Sequence, residues 1–129
     1  MPPSSRKCGD YSWDGLIQPL ERLENRLAKA VSPVAHLHAV TSTDDWRAAY
    51  EALLPALTAY ASDLGQHEGL YRAIKSLRDS AAYATLSASR RKVIDDALKN
   101  FERSGIGLAP AAQARYKEIS LRLAELGTQ

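Results

Sequence analysis

The chain has 129 residues, of which 45% are hydrophobic and 25% are charged, a length and composition typical of one globular domain. The 17 basic and 15 acidic side chains leave a net charge of +2. Because sequence-independent binding to a polyanion requires a far larger charge, we do not expect a nucleic-acid partner.

The first ten residues contain prolines, serines and two basic residues, and we predict a flexible leader over 1–10. They lack the apolar stretch of a secretory signal, and the longest apolar run, 52–57, is far shorter than the roughly 20 residues that span a bilayer. Cys8 is the single cysteine, which excludes an internal disulfide and a four-thiolate zinc site and favours a reducing compartment. We therefore expect a cytoplasmic protein with no membrane span.

Apolar residues recur at helical spacing along the chain, so we predict an all-α fold, a bundle of five or six helices partly kinked at prolines. The first helix begins at Ser12, a capping residue, and runs to about Val31 with a kink at Pro19. Ser32 followed by Pro33 predicts a new, short helix to about residue 40. The first helix buries a stripe of leucines, namely Leu16, Leu20, Leu23 and Leu27.

A long helix follows, capped by Ser42 or Thr43, in which Pro55 predicts a bend of the axis rather than a break. Helical spacing resumes after Gly65, which is therefore either a hinge between two helices or a glycine tolerated within one. We favour a continuous or slightly kinked helix to about Arg78. Its predicted buried face before the glycine consists of Trp46, Tyr50, Leu53, Leu54, Leu57, Tyr60 and Leu64.

Residues 79–84 are predicted to form a connection, and Ser87 or Ser89 caps the next helix. Gly105 suits the left-handed position that ends a helix, and Pro110 suits the first position of the last one, which ends at Gly127. The buried residues predicted for the first of these helices are Val93, Ile94, Ala97, Leu98 and Phe101. Those predicted for the last helix are Ala112, Tyr116, Ile119, Leu123 and Leu126.

The three histidines are the first candidates for a metal or proton-transfer site. His67 and Glu68 begin the His-Glu-x-x-His pattern of zinc peptidases, but Tyr71 stands where the second histidine is required. His36 and His38 point about 200° apart on a helix, so they cannot chelate one ion there. We predict partly buried or surface histidines, and no catalytic, metal-binding or cofactor-binding residue.

Arg90, Arg91 and Lys92 form a basic cluster that could bind a phosphate or a peptide carboxylate. Asp95 and Asp96 follow within two turns, which favours a solvated helix face with ion pairs between residues four apart. The same spacing predicts two further pairs, Glu68 with Arg72 and Glu118 with Arg122.

Several short strings occur together in the chain. They are Tyr-Ser-Trp at 11–13, Gln-Pro-Leu at 18–20, Ser-Pro-Val-Ala-His-Leu at 32–37, Gly-Gln-His-Glu-Gly-Leu-Tyr at 65–71, Tyr-Ala-Thr-Leu at 83–86 and Ser-Gly-Ile-Gly-Leu at 104–108. In order and spacing they resemble the N-terminal helical region of the oligopeptidase A group, in the thimet oligopeptidase family of zinc metallopeptidases. Residues 1–10 lie outside the resemblance.

This resemblance implies that residues 11–129 form the helical N-terminal domain of a larger zinc-dependent endopeptidase that cuts short peptides inside a deep channel. In the family the His-Glu-x-x-His motif and a third glutamate ligand lie far beyond this region, so zinc is implied for the parent enzyme and not for this chain. We therefore expect a piece truncated at both ends that is inactive alone and helps to wall the channel and restrict entry by folded substrates.

A free-standing helical module that binds a protein or peptide without enzymatic activity is the alternative interpretation. It predicts a stable, monodisperse bundle with a defined partner. A piece of a peptidase predicts instead exposed apolar helix faces and self-association through them.

Overall fold

The computed structural model describes residues 11–41 and 43–127, and in these ranges it contains six α-helices and no strand. The predicted all-α bundle is confirmed. The predicted leader over 1–10, with Cys8, lies outside the described residues. In chain order the elements are a π-helical turn (Trp13–Ile17), α1 (Gln18–Val40), α2 (Asp44–Gly65), α3 (Glu68–Arg78), the single turn α4 (Ala81–Ala84) inside the predicted connection, α5 (Ala88–Arg103) and α6 (Pro110–Leu126).

The N-terminal end of the bundle departs from the predicted register. Ser12 caps the chain as predicted, since its hydroxyl accepts the Gly15 N–H at 3.1 Å. The predicted kink at Pro19 was wrong in its position, because the chain is π-helical from Trp13 to Ile17 and Pro19 lies in the first turn of α1, where its missing N–H costs nothing. Ile17, at the end of this turn, is fully buried, whereas Leu23 is 58% exposed, so its place in the predicted stripe was wrong.

The predicted new helix at Ser32 and Pro33 was wrong, because α1 continues through both residues. The half-buried positions 27, 31, 34 and 38 keep spacings of four, three and four across the proline, so packing holds the helix in phase. Pro33 lies on the exposed side, where water can bind the carbonyl that loses its partner. At the end of α1, His38 stacks on Tyr50 of α2 with ring centroids 4.3 Å apart.

The favoured continuous helix across Gly65 was also wrong, and the alternative of a hinge is correct. A Cβ atom at Gly65 would lie 2.5 Å from Oγ of Ser104, so the glycine permits a close approach of α2 to the end of α5. The Gln66 side chain fixes this approach by donating to the Ser104 carbonyl at 3.2 Å. His67 then has extended backbone, and its Nδ1 accepts the Leu70 N–H at 3.0 Å to start α3.

Two of the predicted helix starts are confirmed by their caps. The Thr43 hydroxyl accepts the Trp46 N–H at 3.3 Å, and the Ser87 hydroxyl accepts the Arg90 N–H at 3.4 Å. Ser42, the other candidate cap of α2, lies outside the described residues. Helix α2 runs unbroken through Pro55, as predicted.

The buried core is small and lies between the π-helical turn, α3 and α5. Its members are Ile17, Ala73, Ile74, Leu77, Ile94 and Phe101. Val93, Ala97 and Leu98 of the predicted α5 face are only half-buried, and Leu53 and Tyr60 of the predicted α2 face are exposed.

The end of α5 and the start of α6 follow the prediction. Gly105 has φ +83°, the Ile106 N–H reaches the Phe101 carbonyl at 3.3 Å, and the Gly105 N–H reaches that of Glu102 at 3.2 Å. This pair of bonds is the Schellman motif, which satisfies carbonyls at the end of a helix. Helix α6 begins at Pro110 as predicted.

The face predicted for α6 was wrong except at Tyr116. The helix packs against α2, and Lys117 pairs with Asp63 of α2 at 2.6 Å. This orientation places half-buried Leu121 and Ala124 toward α2 and turns the longer apolar stripe to the surface. The exposed residues of the predicted face are Ala112, Ile119, Leu123 and Leu126.

Candidate functional site

The His-Glu string at 67–68 forms the start of a helix. His67 is exposed and caps α3, and Glu68 forms the predicted ion pair with Arg72 on the surface. Tyr71 packs edge-on against Phe101, with ring centroids 5.8 Å apart. The His67 imidazole and the Glu68 carboxylate therefore both form contacts within the first turns of α3.

The described residues do not fit a zinc ion. Among residues 11–41 and 43–127, no three histidine, cysteine, aspartate or glutamate side chains lie close enough to hold a metal. His36 is exposed, and His38 is half-buried against Tyr50. The zinc implied by the family resemblance therefore has no ligand set in this part of the chain.

The basic cluster at 90–92 is divided among separate partners. The Arg90 guanidinium lies over the Trp13 ring at 5.0 Å, a cation–π contact that ties α5 to the π-helical turn. Lys92 pairs with Asp96 four residues on, and this hydrogen bond lowers the pKa of the Asp96 carboxyl. The predicted solvated face with pairs four apart is confirmed here.

For α6 the predicted pair of Glu118 with Arg122 was wrong, since Glu118 pairs with Arg115 at 2.7 Å and Arg122 with Glu125 at 2.9 Å.

A polar cluster joins α3, α4 and α5. The Tyr83 hydroxyl donates to Oδ2 of Asp95 at 2.8 Å, and Nε of Arg78 lies 3.5 Å from the other carboxylate oxygen. The hydrogen bond to Asp95 is the main cause that raises the pKa of Tyr83. A phenol with a raised pKa is a weaker acid, and the contacts of this cluster join the three helices.

An open groove with a volume of about 630 Å³ lies between α1, α2 and α5. The α1 wall extends from Leu20 to Val31, about 16 Å at the rise of an α-helix, or three turns. The α2 wall consists of Leu57, Tyr60, Ala61 and Leu64, and the floor includes Leu70, Ala97 and Phe101. Apolar side chains therefore line most of this groove.

The rim of the groove is acidic. Glu21 and Glu24 of α1 line it, and the Tyr60 hydroxyl donates to Oε1 of Glu24 at 3.3 Å. Burial raises the pKa of Tyr60 first, and the charge and hydrogen bond of Glu24 raise it further. Neither carboxylate forms an ion pair within 11–41 and 43–127.

Comparison with known proteins identifies the family of this chain. Residues 7–113 match the family model described as Neurolysin/Thimet oligopeptidase, N-terminal domain. The chain belongs to the thimet oligopeptidase family. The match confirms the resemblance carried by the short strings between residues 11 and 108, and it also includes residues 7–10, which we had placed outside the resemblance.

Oligopeptidases from bacteria and a plant are similar to this chain. Oligopeptidase A of Escherichia coli K12 is 49% identical over 119 residues, which cover 92% of this chain and 18% of that protein. Oligopeptidase A of Haemophilus influenzae is 44% identical over the same shares. An organellar oligopeptidase A of Arabidopsis thaliana is 30% identical over 93% of this chain and 15% of its own length. The chain thus spans less than a fifth of these oligopeptidases.

The sequence analysis did not predict the groove of this oligopeptidase domain, because the apolar residues of its walls have the same helical spacing as residues of a buried core. Leu20 and Leu27 of α1 and Leu57 and Leu64 of α2 were assigned to buried faces, yet all four line the open groove. A signal was present in the sequence, since Glu24 falls within the leucine stripe and an unpaired carboxylate is costly inside a core.

None of the described helices is both long enough and apolar enough to cross a membrane.

Proposed function

We propose that this chain is the non-catalytic N-terminal helical domain of an oligopeptidase A-like zinc metalloendopeptidase of the cytoplasm. In the whole enzyme it forms part of the wall of a channel in which short peptides are hydrolysed, and it restricts entry by folded substrates. The observation that carries the proposal is the 49% identity to an oligopeptidase A over 92% of this chain.

The surface of the domain supports a role as a wall. Ile119 and Leu123 of α6 are 47% and 63% exposed, and a second apolar surface lies in the groove between α1 and α2. Apolar patches of this kind mark contacts with other protein surfaces. In this proposal the rest of the polypeptide supplies the zinc ligands and the proton-transfer groups.

A peptidase assay tests the proposal. The purified chain is incubated with a short peptide that carries a fluorophore and a quencher, with zinc added and then with a chelator. Oligopeptidase A of Escherichia coli under the same conditions is the positive control. We expect no cleavage by the chain alone, and chelator-sensitive cleavage by it would overturn the proposal.

The groove also favours a second candidate function, a free-standing helical module that binds a peptide or protein. Thermal melting together with light scattering separates the two. The module predicts a cooperative transition and a monodisperse monomer. The wall domain predicts low stability or self-association, because its apolar faces lack the surfaces that cover them in the enzyme.

A further inference from the structure

We propose that the groove between α1 and α2 binds an amphipathic helix with basic flanks, supplied by the remaining polypeptide of the peptidase. This inference rests on the proposed function and names the contact that holds the domain to the enzyme.

The shape of the groove fits a helix. Its α1 wall presents residues at spacings of three and four over about 16 Å, matching three turns of a partner helix. Both walls and the floor are mainly apolar, as in grooves that receive the apolar face of an amphipathic helix. A small-molecule site would instead bring several polar groups together at one point, whereas here the polar lining residues are divided among Glu21 and Glu24 on α1, Tyr60 on α2, and Asn100 and Ser104 at the end of α5.

The charge of the rim selects the kind of helix. Glu21 and Glu24 form no ion pair with the described residues, and both face the groove. A lysine or arginine beside the apolar stripe of the occupant would pair with them. An acidic or neutral helix would bring no such compensation and is disfavoured.

The rest of the polypeptide is a better source of this helix than a second copy of the chain. The exposed apolar stripe of α6 is the surface that a second copy would offer, but its neighbours Arg115 and Arg122 already pair with Glu118 and Glu125. That stripe therefore carries balanced charge and does not complement an acidic rim. The chain covers 18% of the length of the bacterial relatives, so about 82% of their length lies outside the matched region.

Two tryptophan variants of α1 test the proposal. Ala28 and Ala30 are both exposed on the same helix, but only Ala28 lines the groove, so Ala30→Trp is a matched control for Ala28→Trp. Each variant is made in this chain and in a chimera in which residues 11–127 replace the matching region of Escherichia coli oligopeptidase A. Thermal melting, light scattering and cleavage of the quenched peptide are measured for every protein.

The proposal predicts opposite effects of Ala28→Trp in the two settings. In the chain alone the indole fills an open groove, so the melting temperature stays the same or rises. In the chimera it competes with the bound helix, so the melting temperature falls by several degrees. Ala30→Trp leaves both melting temperatures unchanged.

The charge on the rim is tested in the same chimera. Glu21→Lys lowers the melting temperature at low salt, and the effect shrinks as salt is added. Glu51→Lys, an equal change of charge on an exposed α2 residue outside the groove, is the control and has a smaller effect.

The outcomes separate the two proposals. A folded, active chimera in which Ala28→Trp and Ala30→Trp behave alike overturns the groove proposal and leaves the proposed function standing. Self-association of the chain that Ala28→Trp abolishes would make a second copy the occupant and also overturn it. If no version of the chimera folds or cleaves peptide, the proposed function falls and the groove proposal falls with it.

Discussion

Truncation of two apolar side chains, Ile94 and Leu123, tests which helix faces the fold buries. Ile94 of α5 is 0% exposed among Ile17, Ile74 and Leu77, whereas Leu123 of α6 is 63% exposed. Ile94→Ala removes buried carbon atoms and leaves a cavity, at a cost of about 3 kcal/mol. Leu123→Ala removes atoms already in water, and alanine keeps the helix, so its cost is about 0.5 kcal/mol or less.

Urea unfolding of the isolated chain measures both effects. With a slope of about 2 kcal/mol per molar urea, Ile94→Ala lowers the midpoint by about 1.5 M, while Leu123→Ala moves it by about 0.25 M or less. An equal shift for the two variants would mean that the α6 stripe is buried, and it would refute the placement of α6 and the proposal that its apolar residues contact another protein surface.

Three further substitutions test local features. Gly105→Ala forces a side chain into the left-handed region at φ +83° and lowers the free energy of unfolding by about 1–2 kcal/mol in thermal melting. Asp95→Ala removes the hydrogen bond that is the main cause of the raised pKa of Tyr83, so the pKa of Tyr83 falls in an alkaline ultraviolet titration. In the unchanged chain the stabilisation from this bond is present below about pH 10 and is lost as pH rises through the raised pKa. Lys92→Met raises the pKa of Asp96 toward its ordinary value in an NMR titration, and an unchanged pKa would exclude the pair.

Four helix ends were predictable from sequence because their chemistry is local. Ser12, Thr43 and Ser87 each cap a helix with their own hydroxyl, so the residue type and the amides it binds lie within three positions. Gly105 is placed by the same logic, since a helix end needs positive φ there.

The remaining features depend on packing between distant segments. Pro33 marks a helix start by its local preference, but the packing of α1 on both sides of it keeps the helix continuous. The break after Gly65 depends on Ser104, 39 positions along the chain, and periodicity carries no information about that contact.

Hydrophobic periodicity also cannot tell which stripe will find a partner. Helix α6 has an apolar stripe through Leu123, yet its ion pair with Asp63 and its contact with α2 turn Leu121 inward instead. The groove arises in the same way, because α1 and α2 each present leucines that no described helix covers completely.

The initial rate at which the chimera cleaves the quenched peptide tests the central claim most directly. If residues 11–127 are an oligopeptidase N-terminal domain, the chimera cleaves the peptide at a rate close to that of Escherichia coli oligopeptidase A, a chelator stops it, and the chain alone shows no cleavage. A chimera that is folded by circular dichroism but inactive would contradict the claim, as would chelator-sensitive cleavage by the chain alone.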